Sequence, residues 1–319
     1  MSPDIFAEWL RRRGFQVFHT PSSYWFNLGP RVFQAFPYHW IISPPAAELR
    51  ALFFDHSAIA VRHSTLLEAP LGAISYHVVY TEAMYPISRL PKKARHDVQK
   101  GLATIQIEPI SFSRLANDGW QLRADTLDRQ RRQNAETQSS WQMLCRSAEG
   151  LPGFEAWAAI LNGQLAASLI AFTCGDCCSI LYQQSRTEHL PLGVNNALAF
   201  VFTNEILKRP GNLWLFYGLH SLDAPPSVDE FKFRMGYVIK PVRQRVMFHP
   251  WLSPLINPAS HAGLSVLKRM MPGNPVLTKA EGMLRFYLQG RLPLIKQSWP
   301  DVLKETRAGF LRSDTGDSS

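Results

Sequence analysis

"FEAWAAILNGQLAASLIAFTCGDCCSILYQQS", residues 154–185, decides the fold. Its apolar runs are cut at Asn162-Gly163 and at Gly175-Asp176, and Asn-Gly between apolar runs is the strongest short signal for a hairpin. The stretch therefore predicts an antiparallel meander of three strands whose last strand ends at Tyr182-Gln183. Upstream, "FSRLANDGWQLRADTLDRQ" (112–130) and "TQSSWQMLCRSAEG" (137–150) have helical apolar spacing, and the polar segment from Arg131 to Glu136 between them is expected to be mobile. Downstream, "LPLGVNNALAFVFTNEILKRPG" (190–211) predicts a helix opening just after Gly193 and closing near Pro210. "NLWLFYGLH" (212–220) follows as a buried strand, "VDEFKFRMGY" (228–237) as a short helix and "VIKPVRQRVMF" (238–248) as a final strand.

The first hundred residues read in a similar style. "SPDIFAEWLRRRG" predicts a helix stopped at Gly14, and "FQVFHT" a strand. An aromatic loop and "YHWIIS" lead to "PPAAELRALFFDH", a helix with proline at its start. The runs "AIAVRHS" and "AISYHVVYTEA" predict strands. With these a mixed α/β unit is complete; the basic helix "SRLPKKARHDVQKG" follows, its end marking a domain boundary, and then the strand "ATIQIEPIS". The expected domains are residues 1–103, 104–248 and a helical tail, 249–319, with "RSDTGDSS" disordered at its end.

Bulk properties exclude several classes. The chain has 319 residues, 46% hydrophobic and 18% charged, which is the composition of a folded globular protein. Its longest apolar runs fall far short of the roughly 20 residues that cross a bilayer, and no signal-peptide pattern opens it, so the expectation is a cytoplasmic protein. Four cysteines, three of them in "TCGDCC", give no disulfide framework and favour a reducing compartment; a zinc site would need further ligands, and none is expected. A formal charge of +9 suits nucleic acid, anionic lipid or a phosphate-bearing substrate without choosing among them.

The order helix, helix, three strands, helix, strand, helix, strand resembles a GNAT-type acyltransferase domain. "VDEFKFRMGY" resembles, more narrowly, the Phe-Lys pair before a glycine in Fem-type transferases, aminoacyl-transferring relatives with two GNAT-like halves. Here the pair is Phe231-Lys232, followed by Gly236. "SRLPKKARHDVQKGLATIQIEPIS" is similar to the basic helix and strand that join the two halves of that family. The resemblance implies an α/β fold of the α+β type: two tandem GNAT-like domains, each a mixed, mostly antiparallel sheet flanked by helices.

It also implies an N-acyltransferase that passes an acyl or aminoacyl group from an activated carrier to an amine. No cofactor would be bound tightly; acyl-CoA, an acyl carrier protein or aminoacyl-tRNA would be the co-substrate. The acceptor would be a small molecule or an envelope precursor, in cell-envelope, polysaccharide or lipid metabolism. In ordinary GNAT enzymes the residue four before the matching glycine is a tyrosine that protonates the leaving thiolate; this chain has Lys232. An ammonium there neutralises a leaving group or holds an anionic substrate, or else Lys232 and Arg234 only pair with Asp229 and Glu230 on the helix surface. Ser227 and Glu230 fit a capping box, and Asp229 lies in the positive first turn.

The strand end "FYGLHSLD" offers Tyr217, His220, Ser221 and Asp223, with Asp223 or His220 as base. Backbone N–H groups near Tyr182 and Gln183 are the expected oxyanion donors. "QQSRTEHLPLGVNN" stands where GNAT enzymes cradle the CoA pyrophosphate but holds one glycine, Gly193, which puts that cradle in doubt. Gly193, Asn195 and Asn196 bind an anion or carbonyl, or simply cap the helix. Lys92 and Arg95, with Lys93 and Lys100, form either a solvated face or a phosphate contact for tRNA or a lipid-linked acceptor. The tail segments "HAGLSVLKRMM" and "GMLRFYLQGRLPLIKQSW" read as interfacial helices in peripheral membrane contact, or as helices packed on the core or on a second subunit. The rival to an enzyme is a noncatalytic binding protein of the same fold that has lost the donor loop.

Overall fold

The computed structural model of the chain describes residues 1–130, 136–211, 213–220, 227–271 and 274–314. Helix α1 (Pro3–Arg12) starts on Ser2, whose Oγ accepts from the Asp4 N–H, and buries Phe6, Trp9 and Leu10. Strands β1 (Val17–His19), β2 (Tyr24–Gly29) and β3 (Val32–Phe36) follow, so residues 21–37 are not an aromatic loop but a hairpin. The residue that turns it is Arg31, at φ 57°, a left-handed position that sequence preference would have given to Gly or Asn. Helix α2 (Ala46–Phe54), β4 (Ala60–Thr65), β5 (Ala73–Tyr80), α3 (Lys92–Thr104) and β6 (Gln106–Ile110) complete the first part of the chain.

Residues 112–129 form two helices, α4 (Phe112–Asp118) and α5 (Trp120–Arg129), because the chain bends at Gly119. A Cβ there would stand 2.5 Å from the Leu115 carbonyl oxygen and 3.3 Å from the Trp141 ring. After α6 (Gln138–Ala148) comes the meander β7 (Phe154–Leu161), β8 (Gln164–Cys174) and β9 (Cys177–Ser185). Its turns are the two residues Asn162-Gly163, both at positive φ, and Gly175-Asp176. Then follow α7 (Val194–Leu207), β10 (Trp214–Leu219), α8 (Ser227–Arg234) and β11 (Val238–Phe248). The tail holds α9 (Pro258–Met270), α10 (Pro275–Gly290) and α11 (Lys304–Asp314). α11 takes up Arg312–Asp314, which the sequence assigned to a disordered end, and residues 315–319 lie outside the described residues, as do residues 131–135 of the expected mobile segment.

The chain forms two compact units. The first comprises residues 1–16, 78–218 and 224–238; the second comprises 17–77, 219–223 and 239–319. In the first, the strand order is β10-β9-β8-β7-β6, antiparallel except for the β9–β10 pair among the described residues. α7 makes the crossover between those two parallel strands, a connection a hairpin cannot provide. α1 docks on α6, where the buried Trp9 indole donates to the Leu144 carbonyl at 3.1 Å, and its Phe6 packs against Phe154 and Phe172. The three cysteines of the second turn are buried thiols, and burial raises Cys178 to about 12, so they serve as packing.

The second unit repeats that plan. Its order is β1-β2-β3-β4-β11, with β3–β4 the parallel pair and α2 the crossover. Trp25, Phe33, Leu52, Phe53 and Val61 pack in the core on the α2 side. Ala60, Ala73, Val246, Met283 and Phe286 form a further cluster, closed by α10.

Candidate functional site

The register of the first unit opens a gap at a defined place. β10 pairs with β9 from Trp214–Cys177 to Phe216–Ser179, and the register ends there. Immediately beyond, β9 carries an extra residue against β8: Ile170 faces Tyr182 while Ala171 faces Ile180, which leaves Leu181 as a bulge. A bulge bends and twists its strand, so β9 and β10 splay from Ile180 and Tyr217 onwards, and backbone groups of β9 near Tyr182 lose their neighbouring strand.

Lys232 enters the same unit from α8 as a buried cation. Its Nζ lies 2.7 Å from Asp229 Oδ1 and 5.3 Å from the centre of the Tyr217 ring. Gly218 follows Tyr217 at φ 123°, and a Cβ built on it would come within 3.7 Å of Nζ. A Cβ at that position would thus touch the ammonium at ordinary contact distance, and the positive φ is what favours glycine there. The residue beyond α8, Gly236, takes a left-handed φ of 79° and ends the helix.

Tyr217 is buried among aromatic rings, with Tyr237 at 4.9 Å edge to face. Burial, and then the neighbouring Tyr237, push its phenol well above the ordinary range, so it keeps its proton at neutral pH. That proton goes to Gln183 Oε1. The Gln183 amide donates in turn to the Asn195 carbonyl at 3.2 Å, and the Asn195 side chain donates to Ser185 Oγ at 2.9 Å. Asn196 reaches the residue that follows α8, its amide 3.3 Å from Met235 Sδ. Lys232, Tyr217, Gln183 and Asn195 are thus one connected group, with Asn196 bonded to Met235 just beyond α8.

Tyr182 is half-buried, its ring 5.2 Å from the Arg123 guanidinium, which also bonds Glu136. Arg234 is exposed, as are Lys92, Lys93 and Lys100 on α3. Arg95 instead turns back to donate to the carbonyls of Ser88 and Leu90, both at 3.1 Å, and so braces the segment that leads into its own helix. His220 belongs to the second unit: its ring stacks on Tyr76 at 4.5 Å and its Nδ1 lies 3.4 Å from Ser75 Oγ. Ser221 and Asp223 lie outside the described residues, and so does the Ser227 side chain of the expected capping box.

The loop between β9 and α7 is filled by its own hydrogen bonds. The Ser185 N–H donates to Thr126 Oγ1 (3.1 Å), that of Arg186 to the Ala166 carbonyl (3.0 Å) and that of Thr187 to Asp125 Oδ2 (3.1 Å). His189, Leu190, Leu192 and Gly193 donate to carbonyls within the loop, and Pro191 has no N–H. Arg129 adds bonds to the Ser185 carbonyl and the Thr187 hydroxyl, and Arg186 lies between Asp125 and Glu188. Anion-binding loops work by presenting unpaired N–H groups. Here the N–H groups of Arg186, Thr187, His189, Leu190, Leu192 and Gly193 are engaged, and a carboxylate holds that of Thr187. Gly193, at φ 75°, lets α3 approach so closely that a Cβ would overlap the Asp97 carbonyl, and a Cβ on Gly101 would stand 2.6 Å from that of Ala197.

Sequence reasoning missed Asp125, Thr126, Arg129 and Ser185, which lock this loop. Thr126 and Asp125 carry no local signal, because their partners are some sixty residues away. A second feature it missed is a cavity of about 250 Å³ beside the end of α8, between Tyr80, Tyr85, Arg89, Leu90 and Gly236. Among the described residues no group of His, Cys, Asp and Glu side chains could hold a metal ion.

No protein-family profile matches the chain, and no curated protein does. Solved structures do. FemX superposes with a TM-score of 0.53 at 9% identity, over 78% of this chain and 92% of that one. The C-terminal domain of a protein described as a lysylphosphatidylglycerol synthetase from Agrobacterium fabrum gives a TM-score of 0.50 at 11% identity, over 85% of this chain and 93% of that one. A protein of unknown function from Bacteroides thetaiotaomicron also gives 0.50 at 11%, over 75% and 87%. At such identities the likeness is one of fold, and the chain has the α/β fold, with its mostly antiparallel sheets and flanking helices, that FemX and these proteins share.

Proposed function

We propose that the chain is an N-acyltransferase of the Fem-like kind, in which Lys232 faces the leaving group. The observation that supports this most is the placement of a buried ammonium, held by Asp229 and seated over Tyr217, where β9 and β10 splay. Attack of an amine on an ester or thioester carbonyl gathers negative charge on the carbonyl oxygen and then on the departing oxygen or sulfur. A preorganised cation of low exposure stabilises the second charge, and freed strand N–H groups near Tyr182 stabilise the first. The proton shed by the amine goes to a general base; of the two expected, His220 belongs to the second unit and Asp223 lies outside the described residues.

The donor is a large carrier, aminoacyl-tRNA or an acyl carrier protein, rather than acyl-CoA bound through its pyrophosphate. Support comes from the β9–α7 loop, where the N–H groups of Arg186, Thr187, His189, Leu190, Leu192 and Gly193 are already bonded. The Agrobacterium protein's description names lysylphosphatidylglycerol, an aminoacylated product in keeping with an aminoacyl donor. On this reading residues 104–248 carry the transfer chemistry and the acceptor is a small amine or an envelope precursor. The test supplies labelled aminoacyl-tRNA, acyl carrier protein thioester or acyl-CoA with a panel of amines. Product from either of the first two and none from acyl-CoA is expected; efficient transfer from acyl-CoA would refute the donor assignment.

The same closed loop also fits a binding protein without a donor. The two readings part in a thermal-shift experiment, because a ligand that binds only the native state must raise the melting temperature. Ligands that shift the protein without any turnover would favour the binding protein.

A further inference from the structure

The two tail segments that read alike in sequence have different fates. α10 buries Met283, Leu284 and Phe286 in the second unit, and its Tyr287 ring lies 5.3 Å from Phe248. α9 packs on α10 and has no buried residue at all. Glu281 fastens the pair, accepting from Lys268 at 2.8 Å and lying 3.0 Å from His261 and 3.5 Å from Arg285. The outer face of α9 carries Ala259, Gly263, Val266 and Met270, spaced four, three and four residues apart, with Leu267 and Met271 beside it. All six are exposed, Met270 by 72%, and Val276 at the start of α10 is exposed by 71%.

The charges on α9 and on the chain leading into and out of it have one sign. No acid stands between Glu230 and Glu281, and Glu281 is itself buried under its cations. Arg269 is exposed on α9 next to Met270, and Lys279 is exposed on α10 one helical turn from Val276. An apolar stripe on a short helix flanked by cations is the pattern of a helix that lies in a lipid–water interface. A second copy of the chain is the poorer partner, because a two-fold contact would set the same cations against each other with no acid to receive them. No helix among the described residues is long and apolar enough to cross a membrane, so contact is parallel to the surface.

We infer that the outer face of α9, with the exposed start of α10, docks on an anionic lipid surface, Val266, Leu267, Met270 and Met271 entering the headgroup boundary while Arg269 and Lys279 meet lipid phosphates. This rests on the tail alone and not on the transferase reading.

Vesicle co-sedimentation of the full chain tests it. Vesicles of equal phosphatidylglycerol and phosphatidylcholine should pellet the protein, those of phosphatidylcholine alone much less, and added salt should release it. The variant Leu267→Glu/Met270→Glu, altered only at exposed positions, should lose at least about tenfold in partitioning, since each change removes apolar surface and adds repelled charge. Its melting temperature should match the parent's. Failure of the parent to pellet with anionic vesicles, or equal pelleting of parent and variant, would overturn the proposal. So would a dimer in sedimentation velocity that the variant dissociates while vesicles bind neither, which would make the face a contact between copies.

Discussion

Lys232 and Asp229 form an ion pair across one turn of α8, Nζ to Oδ1 at 2.7 Å, with only 11% and 14% of their side chains exposed. A pair at this spacing on an open helix surface contributes a few tenths of a kcal/mol. Here the partial burial makes each charge depend on the other, and the Tyr217 ring beneath adds a favourable face for the cation. The carboxylate therefore fixes the position of the ammonium.

Lys232→Ala should lower turnover by about two orders of magnitude, the usual cost of losing one preorganised electrostatic stabiliser. Asp229→Asn keeps the cation but loosens it, and a smaller loss is expected. Single-turnover rates of both variants, with urea unfolding to separate stability from rate, decide the matter. Equal losses in the two, or an unchanged rate in Lys232→Ala, would reduce Lys232 to a structural member of α8.

Much of this unit could be read in the sequence because its signals are local. Asn162-Gly163 and Gly175-Asp176 mark the meander to the residue, and Gly193 marks the start of α7. The Lys232–Asp229 contact follows from helical spacing alone. What escaped depends on pairs distant in sequence: Asp125 with Thr187, Thr126 with Ser185, Tyr217 with Gln183. The missed hairpin of β2 and β3 had no Asn-Gly at its turn, and residues 112–130 hid a break at Gly119, where a Cβ would meet the Leu115 carbonyl and side chain and, less closely, Trp141. Sequence order likewise could not show that residues 1–16 belong with 78–218.

Tyr217→Phe should destabilise the first unit by about 1–3 kcal/mol, because it leaves the Gln183 carbonyl without its donor in a dry setting. Gln183→Leu in the same background removes the orphaned acceptor and should recover part of that loss. Urea midpoints of the two single variants and the double variant measure the coupling. An additive result would show that the two side chains do not depend on each other.

Gly193→Ala and Gly163→Ala form a matched pair, with φ at 75° and 79°. Alanine at Gly163 meets nothing within 4 Å and should cost about 1–2 kcal/mol, the ordinary penalty of a left-handed non-glycine residue. Alanine at Gly193 would also overlap the Asp97 carbonyl, so α3 must move away from α7 at a further cost of about 1–3 kcal/mol. Equal melting temperatures for the two variants would show that the close approach of these helices is not what Gly193 serves.

Acid should unfold the second unit through two histidines. Burial, and next the positive Arg245, lower His63 from 6.5 to about 3; burial, and then Lys240, His39 and Arg62, lower His77 to about 3. His77 accepts at Nε2 from the Ser64 hydroxyl (2.9 Å), which takes its own donor from Gln244 at 2.8 Å. Neutral rings fit this chain. The sign follows from where the protons bind: above pH 6.5 both states hold neutral rings, whereas between about 6.5 and 3 the unfolded chain takes up protons that the native one refuses. Stability is thus full above pH 6.5 and falls by up to about 1.4 kcal/mol per pH unit for each histidine as pH drops toward 3. His63→Gln should flatten this slope by about half between pH 6 and 4, even if the variant is less stable at pH 8. Urea unfolding at pH 8, 6, 5 and 4 reads it directly, and a slope unchanged by the substitution would mean that His63 is protonated in the native protein.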